Sequence, residues 1–173
     1  MRRAIDRVLI HHTWQPDYTD FDGSNHLALQ EGMRRFHVDT RGWVDIGQHF
    51  SVFPDGKVVT GRSLDLDPAC TKGANVGAIC IENVGNFDEG GDVMTGVHRD
   101  AILETAAWVC ERWSIPVDSE HVLYHHWFDL ETGKRTDGTG VTKSCPGTGF
   151  FGGNSVEAAE MGFLPLVWMK IES

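Results

Sequence analysis

Hydrophobic positions along the chain fall into two regimes, short apolar runs closed by histidine or turn signals and longer stretches with helical spacing. Val8 to Thr13 reads as a buried strand ending in His11 and His12. A polar, Asp-rich loop with a DG turn signal follows from Gln15 to Ser24. From Asn25 to His37, Leu27, Leu29, Met33 and Phe36 recur at roughly helical spacing. Ser24 is placed to cap this helix, and Arg34 and Arg35 suit its electronegative C-terminal end.

Gln48 to Phe53, the turn PDGK and Val58 to Thr60 predict a hairpin by the Asp-Gly rule. Ala78 to Val84 predicts a further strand, almost wholly apolar but interrupted by Glu82. Val97 to Trp113 predicts the longest helix, with Ile102, Leu103, Ala106, Val109, Cys110 and Trp113 on one face and Pro116 closing it off. Val122 to Tyr124 predicts a short strand that leads into a second pair, His125 and His126. The stretch DLETGKRTDGTGVT is loop by composition, and Ser155 to Met161 predicts a short final helix.

Strands separated by helices predict an α/β fold, a mixed β-sheet flanked by helices on both faces, with loops at one edge carrying the site. At 173 residues and 40% hydrophobic, the chain has enough apolar side chains for one core, and residues 1–173 are expected to form a single domain. A formal net charge of -10 excludes an electrostatic footprint for nucleic acid, and it equally disfavours bulk attraction to an anionic cell wall. No apolar run is long enough to span a bilayer, so no membrane partner is expected. The start MRRAIDRVLIHH lacks the apolar core and cleavage site of a signal peptide, which predicts cytoplasmic synthesis without processing. A monomer is expected. Cys70, Cys80, Cys110 and Cys145 are too sparse for a disulfide scaffold and suggest a reducing compartment. On this reading Cys80 and Cys110 are buried thiols, and a Cys70 to Cys80 disulfide has no positive support in the sequence.

Two histidine pairs at strand ends, together with Cys145 in the segment KSCPG, supply nitrogen and sulfur donors of the type Zn2+ prefers. Three such ligands leave a fourth position open, as in catalytic rather than structural zinc sites. Successive strand residues point to opposite faces, so only one histidine of each pair can face a common ion. Spacing leaves open which one.

Taken in order, VLIHHT, RGWVDIGQHFSVFPDGKVVTGR, GANVGAICIENVGNF, LYHH and KSCPG resemble the zinc-dependent N-acetylmuramoyl-L-alanine amidases that share a fold with peptidoglycan recognition proteins. The resemblance runs from about Val8 to Gly147. It implies one Zn2+ held by His11, His125 and Cys145, with His12 and His126 in supporting positions. It also implies catalytic roles for Glu82 and Lys143. Other members of the family place a tyrosine where this chain has Gln48, which favours Glu82 as the base.

The implied reaction is hydrolysis of the amide between N-acetylmuramic acid and L-alanine, with peptidoglycan or muropeptides as partners. The setting implied is lysis of a cell wall by a phage-type endolysin or, alternatively, recycling of wall fragments in the cytoplasm. The rival of another class is a non-catalytic module that binds peptidoglycan fragments; family members of that kind typically lack the cysteine ligand. A zinc peptidase lacks support, since no HExxH helix is present. The polar loop around Gly133 to Thr142 is longer than the family's usual connection; it either lines the substrate groove or is a solvated insertion. Trp14, Trp43 and Trp127 are candidates for stacking on sugar or for packing the core.

Overall fold

A computed structural model describes residues 4–173. The reading of the N-terminus as lacking a leader falls partly on residues 1–3, outside the described residues. Five strands form one mixed sheet in the order β3-β2-β4-β1-β5. β1 is Arg7–His12, β2 Phe50–Val52, β3 Val58–Thr60, β4 Ala78–Asn83 and β5 Val122–Tyr124. β1 runs parallel to both β4 and β5, β2 runs parallel to β4, and only the β2–β3 hairpin is antiparallel. The hairpin turn follows the Asp-Gly signal, with Gly56 at φ 84°, a backbone angle that glycine adopts without penalty.

Register assigns the two faces. Leu9, His11, Cys80, Glu82, Ser51 and Leu123 share one face, because Leu9 pairs with Cys80 and Leu123, and His11 and Ser51 both stand beside Glu82. The opposite face presents Val8, Ile10, Ile79, Ile81, Phe50 and Val52, all buried. Helix α2 (Gly96–Trp113) covers that apolar face: Trp108 meets Phe50 edge-on at 5.7 Å, and His98 Nε2 lies 3.0 Å from the Val52 carbonyl. Helix α1 (His26–Arg35) lies on the other side, where the Gln48 side chain links Ser51 to Met33 of the helix. Helices therefore flank the sheet on both faces, as the alternation of apolar periods predicts.

Four details depart from the sequence reading. Ser24 does not cap α1: its hydroxyl donates to the Asp22 carboxylate, and Asn25 precedes the first helical residue. Beyond Arg35 the chain continues through a wide π-turn, Phe36–Thr40, rather than stopping at His37. The final helical region is far longer than Ser155 to Met161. Ser155 caps α3 (Val156–Ala158) by accepting from Ala158 N, a wide turn Ala159–Phe163 follows, and α4 (Leu164–Glu172) packs against α2. Its seam is apolar, since Phe163, Leu164 and Val167 are buried. Lastly, Cys80 is not a free thiol but forms a disulfide with Cys70, whereas Cys110 is free and buried in α2. Sequence separation alone carries no information on whether two Cβ vectors converge, which is why the bond escaped the sequence reading.

Candidate metal centre

The carboxyl ends of three adjacent parallel strands build the site. β1 carries His11 one residue before its end, β4 reaches Glu82 near its end, and β5 passes into the single turn His125–Trp127. His11 and His125 bring their rings to 4.7 Å between centroids. Cys145 arrives from a distant loop and sets its Sγ 3.4 Å from His11 Nδ1. The potential ligand atoms of His11, His125 and Cys145 all lie within 4.8 Å of one another, and all three residues are buried. The structure thus gathers the first histidine of each pair with the cysteine.

The second histidines serve the backbone. His12, on the opposite face, accepts from Phe87 N–H through Nδ1 at 3.1 Å, while its own N–H donates to Cys145 Sγ at 3.4 Å. His126 N–H donates to the Cys145 carbonyl at 2.8 Å, and its Nδ1 lies 2.7 Å from the Lys143 carbonyl. Both fasten the segment that carries Cys145. Asp88 completes the clamp by accepting from Ser144 Oγ at 2.9 Å and from Thr148 N at 3.0 Å. Gly147 is required there: it sits at φ 125°, and a Cβ would run into the Phe87 carbonyl. Three further supports had no signal in the sequence. Thr71 Oγ1 lies 3.0 Å from His11 Nε2, Asn83 Nδ2 donates to the His11 carbonyl at 2.8 Å, and Asp88 holds the cysteine loop.

Burial sets the electrostatics. Desolvation, reinforced by the neighbouring His125, holds His11 well below the usual imidazole range. Desolvation together with the Lys143 charge brings His125 down to about 3. Both rings are therefore neutral donors at pH 7, as metal ligation requires. Burial and the Glu82 carboxylate push the Cys145 thiol well above its ordinary value, so a thiolate here calls for a compensating cation. Burial raises the half-buried Glu82 to about 8, against the opposing pull of Lys143. Lys143 itself is exposed and bears electrostatically on Glu82, His11 and His125 together.

Among the other candidates, Gln48 is fully buried, donates to Ser51 Oγ at 3.0 Å and leaves its Oε1 without a partner. Trp127 is core, stacked on Tyr124, and Trp43 is half-buried against His37, while Trp14 is exposed. The loop after β5 is organised rather than loose. Buried Asp129 accepts from Glu131 N, from Thr132 N and Oγ1, and from Val141 N.

A match to the family described as N-acetylmuramoyl-L-alanine amidase spans residues 1–148. The chain belongs to that family. Similar curated proteins include the pig (Sus scrofa) N-acetylmuramoyl-L-alanine amidase, 38% identical over half of this chain but only 14% of that protein. Peptidoglycan-recognition protein SC2 of Drosophila melanogaster is 28% identical, over 70% of this chain and 63% of the relative. This amidase-family chain therefore spans a minor part of its mammalian relatives. Among solved structures, Drosophila PGRP-LB superposes with a TM-score of 0.68 over 93% of this chain and 83% of the other, at 22% identity. The amidase LysC from Clostridium intestinale superposes with a TM-score of 0.62 over 85% and 79%, at 21% identity. At these identities the likeness is one of fold.

Proposed function

We propose that the chain is a zinc-dependent N-acetylmuramoyl-L-alanine amidase, hydrolysing the amide between N-acetylmuramic acid and the first alanine of the stem peptide. The observation that carries the reading is the convergence of His11, His125 and Cys145 within 4.8 Å, beside the Glu82 carboxyl. The donor set fits zinc: two neutral imidazoles and one thiol, all buried, with His11 Nε2 beside the Thr71 hydroxyl and Cys145 Sγ accepting from the His12 backbone N–H. His11, His125 and Cys145 would hold the ion. When bound, zinc supplies Lewis-acid polarisation of the scissile carbonyl.

The remaining steps fall to this chain's own side chains. Glu82 takes the proton from the attacking water and returns it to the departing amine. Lys143, exposed at the rim, places a compact positive charge where the tetrahedral oxyanion develops. Family membership and the amidase names of relatives support the reaction class. A PGRP-LB variant solved in complex with tracheal cytotoxin supports a muropeptide partner.

A non-catalytic recognition module is the second reading, favoured by the recognition-protein names among relatives. Purified protein incubated with muropeptides and zinc decides between them. Release of free stem peptide, identified by mass spectrometry, is expected; binding without cleavage would establish the recognition module instead. Running intact sacculi beside soluble muropeptides tests whether the substrate is the wall itself.

A further inference from the structure

We propose that opening the Cys70–Cys80 disulfide creates a second metal site, formed by both sulfurs and the imidazole of His11. The ligand atoms of His11, Cys70 and Cys80 all lie within 4.8 Å of one another. Two thiolates and one imidazole are a donor set that Zn2+ and other borderline metals favour. In the oxidised chain the sulfurs are bonded to each other and cannot ligate. His11 belongs to both sets, so the redox state of this pair decides which sulfur atoms compete for it. The proposal is independent of the amidase reading.

Both sulfurs are carried by segments that other bonds hold in place. Cys80 is fixed in the middle of β4, directly opposite Leu9 of β1. The Cys70 segment is held by its own bonds: Asn75 Oδ1 accepts from Cys70 N at 3.0 Å and from Thr71 N at 2.9 Å, and Ala69 N donates to the Gly47 carbonyl. Thr71, fully buried, ties the same segment to His11 Nε2 at 3.0 Å. Cys70 is half-buried, which leaves an approach for a reductant. A trialkylphosphine cleaves the S–S bond and becomes the phosphine oxide, taking oxygen from water. The two protons of that water end on the two sulfurs and leave again as a metal binds.

The test uses cobalt(II) as probe, whose sulfur-to-metal charge-transfer bands report thiolate ligation. A His125→Ala/Cys145→Ser chain lacks the other two donors of the first set. Oxidised, it is expected to show no such band. After phosphine reduction a two-thiolate band should appear, and adding His11→Ala should weaken cobalt binding by about tenfold or more, at least the loss that outer-shell changes cause. A reduced, folded chain with no band overturns the proposal, as does an affinity indifferent to His11→Ala. If the double variant does not fold, the wild type decides: a stronger band per cobalt in the reduced form supports the second site, and identical spectra in both redox states refute it.

Discussion

His11 and Glu82 are direct cross-strand partners in the parallel β1–β4 ladder, so the potential ligand and the carboxylate emerge side by side on one face of the sheet. Neighbouring strands stand about 5 Å apart, which fixes the carboxylate at a working distance from whatever His11 binds. Glu82→Gln keeps the shape and removes the proton acceptor. Activity on muropeptides is expected to fall by about two to four orders of magnitude, with zinc content unchanged. Equal turnover by the variant would remove Glu82 from the mechanism.

Removing a donor should empty the centre. Cys145→Ser and His125→Ala are each expected to lower bound zinc, measured by metal analysis after dialysis, while circular dichroism stays native. Chelation of the wild type should lower its melting temperature, because an ion that binds only the folded chain stabilises by about 3 kcal/mol at a hundredfold excess over Kd. Zinc content indifferent to both substitutions would exclude this donor set.

Gly147→Ala probes the clamp on the cysteine loop. A methyl group there meets the Phe87 carbonyl and forces a residue at φ 125° into strain, so the loop must shift. The expected cost is about 1–3 kcal/mol in urea unfolding, together with weaker zinc binding, since Cys145 lies two residues away. A variant with unchanged zinc affinity would show that the loop tolerates displacement.

Acid stability should carry the signature of His98. Burial, partly offset by its bond to the Val52 carbonyl, brings this histidine down to about 4. Its Nδ1 also lies 2.8 Å from the Tyr18 hydroxyl. Because the folded chain resists protonation that the unfolded chain accepts, the contribution is complete above pH 6.5 and is lost as pH falls towards 4. His98→Gln should therefore be less stable than wild type at pH 7, with the gap narrowing by about 2 kcal/mol at pH 4.5. Parallel stability curves for the two proteins would show that His98 does not titrate in this way.

Sequence pattern revealed what depends on local periodicity. The runs around Val8, Ala78 and Val122 became parallel neighbours, the Asp-Gly turn closed its hairpin, and the long apolar stripe from Ile102 to Cys110 became the buried face of α2. Alternation along β1 turned His12 away from His11, whereas His125 and His126 lie in a single turn to which strand alternation does not apply, and choosing His11 and His125 needed the family resemblance. What escaped depends on contacts between distant segments. Cys70 meets Cys80 only because the loop before β4 folds back under β1, and Thr71 reaches His11 by the same route. The length of the last helical region escaped too, because the wide turn Ala159–Phe163 breaks the regular 3.6-residue period across it.

β1 lies inside the sheet, bonded on both sides along the segment that leads to His11. Amide hydrogens of Leu9, Ile10 and Ile81 should consequently exchange with solvent only when the whole chain unfolds, far more slowly than those of the exposed 130–142 segment. A ligand seated on the end of such a strand cannot leave by local fraying. Loss of an ion held there would instead require the Cys145 segment to part from His126 and Asp88, whose bonds hold it in place.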